Sequence, residues 1–453
     1  MGRIILRNIK EAGFDVKNLY VIKAGESVID SAACVENCSK LPVTVDTLVV
    51  TVPAKNALDV LKDAALSGKV NGVVLISGGI GEKEGSLGIK QQVDDIIKTG
   101  KEINPSFTLN GSNSLGMVSN PAKMNTLFIP KDKFTPPLGA DYKHKPCAFI
   151  SQSGAFVISA LSRMEEIKPV YSVMTGNQLD ITVTDYVEYL AQEDKIKTLL
   201  LYIEGFKEEE GTRLKKALIK LKEQGKTAVI YLAGRTQAGQ KAVMGHTASI
   251  AGDYVTAKVL LEEQGALMAE SFEDFISLSR LACCIDKPKS NKVFMISNAG
   301  FESSGMADNI IEGGPLLAPA PKAELQEDLK EILTRYNLSG LVDIRNPFDV
   351  TPMCPDESAL EIAEAAAKSG QYDAIIFATV PLSPAVKTLK EENPFLLQKL
   401  AQISKTYNVP VMISVSAGAK FEYYRNLARA EGLCVFNNAD EAVKQLSLYL
   451  KSA

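Results

Sequence analysis

The sequence predicts an α/β protein of parallel sheets covered by helices on both faces, and three patterns support that prediction. Short apolar runs rich in Val, Ile and Leu alternate with longer amphipathic stretches along almost the whole chain, as βαβ units require. Runs such as residues 199–203 and 374–378 are continuously apolar, which is typical of strands buried on both faces. Most runs end in a turn containing Gly or Ser that leads to a helical stretch.

The first series of strands predicts a domain over residues 1–140. Its strand runs are residues 48–52, 73–76 and 107–109. Helical stretches follow the first two runs, the second of them predicted over 87–102. A proline-rich stretch over 121–146 has little periodicity and predicts a linker.

The second and third series predict two further domains, over residues 145–287 and 290–453. The second begins with the apolar run 147–150 and the third with 293–296, and each opens in the order strand, Ser, two residues, Gly, helix. Three domains fit the length of 453 residues, which is three times a typical domain of ~150 residues.

The composition excludes several classes of protein. The chain has 50 Lys and Arg against 54 Asp and Glu, so it lacks the basic excess of a nucleic-acid binder. No apolar run reaches the ~20 residues of a membrane-spanning helix, and the start has no secretory apolar core, so we expect a cytoplasmic protein. The two histidines and seven scattered cysteines predict no metal site; Cys34 and Cys38 are interpreted as small apolar residues.

The turn after the first strand of the second series is a candidate anion site. Ser151, Ser153 and Gly154 lie where a strand ends and a helix begins, so backbone N–H groups, the helix dipole and the hydroxyl groups would cradle a phosphate. A plain turn with a serine N-cap explains the same residues. The pattern leaves both interpretations open.

His246 and Glu204 are candidates for phosphoryl chemistry. His246 lies among small residues before a helix that starts near Asp253, and no bulky neighbour suggests a core role. A neutral imidazole near an anion-binding helix start is a competent nucleophile toward a phosphoryl group. Glu204, at the end of the strand 199–203, would orient the imidazole and balance its charge. The alternatives are a structural histidine and a solvated loop carboxylate.

Taken in order, these strings resemble the nucleoside-diphosphate-forming acyl-CoA synthetases, relatives of the succinyl-CoA synthetase α subunit. The resemblance covers essentially the whole chain. It is carried by Val52-Pro53-Ala54, Asn113-Ser114-Leu115-Gly116, Ser151-Gln152-Ser153-Gly154-Ala155-Phe156, Gly176-Asn177, Tyr202-Ile203-Glu204-Gly205, Ala233-Gly234-Arg235, Gly245-His246-Thr247, Ser297-Asn298-Ala299-Gly300 and Asn346-Pro347-Phe348-Asp349.

The resemblance implies both a fold and a reaction. The fold is a Rossmann-like CoA-binding domain followed by two flavodoxin-like ligase domains. The reaction interconverts acyl-CoA, ADP and phosphate with a carboxylic acid, CoA and ATP through an acyl phosphate and a phosphohistidine. His246 matches the phosphorylated histidine, and Glu204 matches the glutamate that steadies it. The other matched positions are Ser151, Ser153 and Gly154 for phosphate and Val52, Pro53, Asn113 and Ser114 for CoA.

The resemblance also implies a partner. Nothing in the chain resembles the family's ATP-grasp module, so we expect an α-type subunit that acts with an ATP-grasp β subunit binding ADP or ATP and Mg²⁺. The expected assembly is a hetero-oligomer or a homodimer. His144, beside two lysines in the proline-rich stretch, is expected to be dispensable.

The start of the sequence departs from the family. Residues from Met1 onward align with the helix after the family's CoA-phosphate loop, so the first strand and most of that loop are missing. We expect an N-terminally truncated domain, an unpaired sheet edge beside residues 48–52, and a native protein that begins upstream.

Two other functions are weighed against catalysis. A non-catalytic sensor of CoA or acyl-CoA on the same fold is the alternative, and the presence of both His246 and Glu204 disfavours it. A nicotinamide-dependent dehydrogenase is excluded because no Gly-x-Gly-x-x-Gly string follows a first strand.

Overall fold

The structure is a computed structural model that describes residues 1–80, 87–136, 138, 145–246 and 253–451, without the side chains of 87 and 244–246. His144 therefore lies outside the described residues. The chain separates into an N-terminal unit, Met1–Phe275, and a C-terminal unit, Ile276–Ala453. No helix in the described ranges combines the length and the apolarity that crossing a membrane demands.

The first part of the N-terminal unit holds two three-stranded sheets. Its elements are α1 (Gly2–Glu11), β1 (Tyr20–Ile22), β2 (Val28–Ile29), β3 (Ala32–Val35), β4 (Val45–Val50), α2 (Ala54–Ser67), β5 (Val70–Leu75), α3 (Leu87–Ile103) and β6 (Thr108–Gly111). Strands β4, β5 and β6 pair in parallel in this order. Strand β3 pairs in parallel with β1 and antiparallel with β2. Among the described residues β4 is an edge strand, at the position where the sequence predicts an unpaired edge.

One hydrophobic core serves both small sheets. Leu61 of α2, Leu75 of β5 and Phe107 are almost fully buried in it. Tyr20 and Ile22 of β1 pack against the same cluster although β1 belongs to the other sheet. Burial of these apolar side chains is the main stabilising contribution to this part of the unit.

A seven-stranded sheet forms the second part of the N-terminal unit. Its elements are β7 (Met117–Ser119), β8 (Met124–Asn125), β9 (Lys145–Ser151), α4 (Gly154–Arg163), β10 (Pro169–Met174), α5 (Val183–Leu190), β11 (Thr198–Ile203), α6 (Glu210–Glu223), β12 (Thr227–Leu232), α7 (Gln237–His246), α8 (Tyr254–Glu263), β13 (Leu267–Ala269) and the start of α9 (Phe272–Cys284). The residues of α9 from Ile276 onward belong to the C-terminal unit. The strand order is β13-β12-β11-β9-β10-β7-β8. The first five pair in parallel, whereas β7 and β8 are antiparallel additions at one edge.

The C-terminal unit is built on a five-stranded parallel sheet. Its elements are β14 (Val293–Ser297), α10 (Gly300–Asp308), α11 (Ala323–Arg335), β15 (Phe348–Asp349), α12 (Asp356–Lys368), β16 (Ala374–Thr379), α13 (Leu396–Tyr407), β17 (Val411–Val415), α14 (Glu422–Ala430), β18 (Cys434–Phe436) and α15 (Ala439–Lys451). The order is β15-β14-β16-β17-β18. Every residue of β14, β16 and β17 is buried, as their continuous apolar runs predict.

These sheets confirm the predicted α/β class. The domain limits at 1–140, 145–287 and 290–453 stay predictions. Residues 117–125, which the sequence assigns to the first of these domains, extend the sheet of the second. The pairing of Ser119 with Tyr171 fixes that antiparallel addition.

Candidate functional site

The turn between β9 and α4 is a capped helix start. The Ser153 hydroxyl oxygen accepts a hydrogen bond from the backbone N–H of Phe156 at 3.4 Å, so it is the N-cap of α4. The Ser151 hydroxyl donates to the Ser153 carbonyl oxygen at 2.7 Å and accepts from the Ser153 N–H at 3.0 Å. The N-cap interpretation is thus observed, and phosphate binding at this helix start stays a prediction.

Gly154 is required at this turn by close packing. A Cβ atom at this position would overlap the side chain of Leu115. Leu115 belongs to the loop that follows β6, so the absence of a side chain at Gly154 lets that loop lie against the start of α4. The glycine has a steric role whether or not phosphate binds nearby.

Glu204 is placed beside this turn by the sheet. Strands β9 and β11 are parallel neighbours with Ser151 opposite Tyr202, so the turns that follow them lie at the same sheet edge. The Gln152 side-chain oxygen accepts from the N–H groups of Glu204 and Gly205, the second at 3.2 Å. Burial and then the negative charge of Glu204 raise the pKa of Tyr202.

A small cavity of about 30 Å³ connects Glu204 with the helix that carries His246. Its walls include Glu204, Phe206 and Leu232, together with Gln240 and Val243 of α7 and Tyr254 of α8. His246 is the last residue of α7, and its side chain lies outside the described residues.

Tyr254 adds a polar group to this cavity. Its hydroxyl oxygen is buried and has no hydrogen-bond partner within the described parts of the chain. Burial raises the pKa of the phenol, so the hydroxyl is a neutral donor at physiological pH. Glu204 and Tyr254 thus both line the cavity beside the helix that ends at His246.

The predicted CoA residues gather at the carboxyl edge of the sheet β4-β5-β6. Ser77 bridges two of them, since its hydroxyl donates to the Val52 carbonyl and its carbonyl accepts from Asn113 N–H at 3.0 Å. Pro53 is the N-cap residue of α2. Asn113 is exposed and has a positive φ of 55°, so its amide is available to a ligand.

Ser114 differs from the other predicted CoA residues because its hydroxyl is already used inside the protein. It is 2% exposed, donates to the Met174 carbonyl at 2.6 Å and accepts from the Gly116 N–H at 3.0 Å. These bonds hold the loop after β6 against the end of β10. A CoA-binding role for Val52, Pro53, Asn113 and Ser114 stays a prediction.

A second, larger groove lies away from all predicted residues. It has a volume of about 480 Å³ and is lined by α3 and by Leu179 and Asp180. Its walls carry the mixed charges of Asp94, Lys98 and Asp180. Lys101 closes one side with an ion pair to Asp180 at 2.6 Å. Mixed and partly paired charge does not indicate a particular ligand.

Sequence reasoning missed Gln152, Tyr202 and Tyr254. Gln152 and Tyr202 belong to strings that carry the family resemblance, but their contacts depend on the register between β9 and β11. Tyr254 follows the segment of small residues around His246, and only its unpaired buried hydroxyl marks it. The described residues contain no group of three or more His, Cys, Asp or Glu side chains able to hold a metal ion.

Comparison with known proteins finds one matching domain model and several similar relatives. Residues 144–282 match the succinyl-CoA ligase like flavodoxin domain. The chain is 26% identical over 445 residues to the α subunit of ADP-forming acetate–CoA ligase II of Pyrococcus furiosus, covering 97% of this chain and 91% of that protein. It is 27% identical over 465 residues to the α subunit of the corresponding ligase I, covering 100% and 93%.

A solved structure shows the same fold. Dinucleotide-forming acetyl-coenzyme A synthetase 1 of Ca. Korarchaeum cryptofilum, in complex with phosphate and ADP, matches 99% of this chain and 92% of its own with a TM-score of 0.86 at 23% identity. The resemblance predicted from the sequence is confirmed, and so is the α/β fold with a flavodoxin-like ligase domain.

Proposed function

We propose that the chain is the α-type subunit of a nucleoside-diphosphate-forming acyl-CoA synthetase, the family its whole length resembles. It converts acyl-CoA, ADP and phosphate into a carboxylic acid, CoA and ATP, and the reverse. The observation that carries the proposal is the cavity that Glu204 shares with α7, the helix that ends at His246. Similarity to α subunits of ADP-forming acetate–CoA ligases over nearly the full chain supports it.

The reaction passes through two phosphoryl compounds. A phosphate oxygen attacks the thioester carbonyl, the C–S bond breaks, and CoA leaves as the thiolate with the acyl phosphate formed. An imidazole nitrogen of His246 then attacks phosphorus, and the carboxylate leaves as the P–O bond breaks. Finally the terminal oxygen of ADP attacks phosphorus, the P–N bond breaks, and ATP leaves.

The residues of the two turns divide this work. The helix start at Ser151, Ser153 and Gly154 neutralises phosphate charge with backbone N–H groups and the helix dipole. The Glu204 carboxylate accepts the imidazole N–H that remains after phosphorylation and offsets the charge of the ring. Residues 1–140 bind CoA, with Val52, Pro53, Asn113 and Ser114 at the sheet edge, and 145–287 and 290–453 are ligase domains.

The nucleotide is supplied through a partner. The relatives named above are α subunits, which supports a β subunit with an ATP-grasp fold that binds ADP or ATP and Mg²⁺. The assembly is a cytoplasmic hetero-oligomer.

Phosphorylation of the chain tests the proposal. Incubation of the purified protein with acetyl-CoA and radiolabelled phosphate should give acid-labile, base-stable label, because phosphohistidine has that stability. His246→Asn should abolish the label, and His144→Asn is the control that should keep it. Label that persists in His246→Asn places the phosphoryl group elsewhere, and an unlabelled wild-type protein contradicts the function itself.

A further inference from the structure

We propose that Gln152 is a positioning residue that holds two turns together. One is the turn after β11 that contains Glu204 and Gly205, the Glu204 turn, and the other is the turn between β9 and α4, the phosphate turn. The inference rests on the proposed function, in which Glu204 steadies the phosphorylated histidine. Gln152 is the middle residue of the turn between β9 and α4, and nothing in the reaction scheme requires its side chain to touch a substrate.

Gln152 is attached to the Glu204 turn at several points. Its side-chain oxygen accepts from both the Glu204 and Gly205 N–H groups, and its Nε2 donates to the Gly205 carbonyl at 3.3 Å. Its own backbone N–H donates to the Tyr202 carbonyl at 3.1 Å. One residue therefore binds the backbone before, at and after Glu204.

The neighbouring serines do not share this role. Ser151 and Ser153 spend their hydroxyl groups on bonds within their own turn and on the cap of α4. Of these three residues, only Gln152 has a side chain that hydrogen-bonds the turn after β11. The side-chain amide of Gln152 thus connects the phosphate turn with the Glu204 turn.

Burial makes this connection rigid. Gln152 is only 6% exposed, so the N–H groups of Glu204 and Gly205 would lose their partner without replacement by bulk water if the amide were removed. Tyr202 is held from the other side, because its ring stacks on Phe156 with a centroid distance of 4.2 Å. Glu204 is fixed through its backbone N–H by Gln152.

The hydrogen bonds of Gln152 require a side chain with both the length and the amide group of glutamine. Asn is one methylene shorter and does not span both N–H groups from the same backbone position. Glu replaces the Nε2 donor by an oxygen that faces the Gly205 carbonyl, and it adds a negative charge beside Glu204. Met keeps the length and removes all three side-chain bonds, so it is the informative substitution.

The experiment compares Gln152→Met with Gln371→Met in the full chain. Gln371 is a matched control because it is 9% exposed, accepts from the Lys322 N–H at 2.9 Å and donates to the Ala320 carbonyl at 2.7 Å, all in the C-terminal unit. The readouts are the rate of labelling from acetyl-CoA and phosphate, and the thermal unfolding midpoint. We expect Gln152→Met to label about tenfold more slowly at saturating acetyl-CoA, whereas Gln371→Met labels like wild type.

A double-variant cycle separates positioning from general damage. If Gln152 acts through Glu204, then Gln152→Met combined with Glu204→Gln labels no more slowly than Glu204→Gln alone. Equal labelling rates for Gln152→Met and Gln371→Met, or losses that multiply in the double variant, overturn the proposal. Gln152→Asn, which keeps a polar amide, replaces Gln152→Met if that variant does not fold. A wild-type chain that takes no label contradicts the proposed function instead.

Discussion

The turn after β9 and the turn after β14 have the same architecture in the two units, yet they hold different residues. The sheet of the C-terminal unit, β15-β14-β16-β17-β18, repeats the order β10-β9-β11-β12-β13. In both turns a serine hydroxyl bonds the backbone two residues on: Ser151 to Ser153, and Ser297 to Ala299 with distances of 3.1 and 3.3 Å.

Each turn also has a side-chain amide directly after its serine, Gln152 in the turn after β9 and Asn298 in the turn after β14. Asn298 accepts from the Val380 N–H at 2.8 Å and donates to the Val380 carbonyl at 3.1 Å, as Gln152 bonds the Glu204 turn. The bound residue follows the neighbouring strand in each case, but it is Glu204 in one unit and Val380 in the other. Both turns therefore fix one residue at the carboxyl edge of the sheet. Only in the N-terminal unit is this residue a carboxylate, Glu204, which the predicted phosphoryl chemistry requires.

The largest expected effect comes from removing that carboxylate. Glu204→Gln keeps the size and the backbone bonds to Gln152, but it removes the charge that offsets a phosphorylated imidazole. We expect phosphohistidine formation to slow about a hundredfold, in the range found when one stabilising polar group is removed from an active site. Quench-flow labelling with radiolabelled phosphate measures it. Val380→Ala in the matching turn is the control, and an equal loss there would show that the two turns are not distinguished by charge.

The strands and their edges are the part that the sequence predicts well. The run 293–296 lacks only Ser297 of β14, and the run 199–203 lacks only Thr198 of β11. Continuous burial explains this success, because a strand covered on both faces leaves an uninterrupted apolar run. The common opening of the two series, strand, Ser, two residues, Gly, helix, is also visible in the sequence.

The sequence does not predict contacts that depend on the register between strands. Strand β7 pairs three residues with the distant strand β10, and β8 pairs only two residues with β7, so these short strands leave no pattern of their own. Ser114 carries the family resemblance for CoA binding, but its bond to Met174 follows from how β6 and β10 meet. Gln152 reaches Glu204 only because Ser151 lies opposite Tyr202.

The second expected effect is a pH dependence that differs between the units. Asp356, at the start of α12, has a pKa raised to about 6, chiefly by burial, and one carboxylate oxygen lacks a hydrogen-bond partner within the described residues. The folded unit takes up this proton at higher pH than the unfolded chain does. Its free energy of unfolding therefore falls as pH rises from about 4 to about 6, by roughly 2 kcal/mol.

Asp356→Asn should remove this slope, and chemical denaturation of the full chain at several pH values measures it. Asp185 of the N-terminal unit is the opposite case. Burial raises its pKa, but hydrogen bonds from Arg213 and Thr182 outweigh burial and lower it overall. Stability from Asp185 is present at neutral pH and is lost as pH falls below the ordinary carboxyl pKa. A slope of the same sign from both residues contradicts this assignment.

The smallest expected effect compares the two glycines that begin the helices. A Cβ at Gly154 would overlap the Cβ of Leu115, whereas a Cβ at Gly300 would lie 3.1 Å from the Asp349 carboxylate oxygen, a contact that a small shift relieves. Gly154→Ala should therefore destabilise the protein by about 1 kcal/mol more than Gly300→Ala, since overpacking costs more where backbone-proximal atoms must move. Denaturant midpoints of the two variants give this difference. Leu115→Gly should restore part of it in the Gly154→Ala background because it removes the overlapping Cβ, whereas Leu115→Ala keeps that atom and should restore little. If Leu115→Ala restores as much as Leu115→Gly, the overlap with the outer atoms of the leucine, and not with its Cβ, causes the loss.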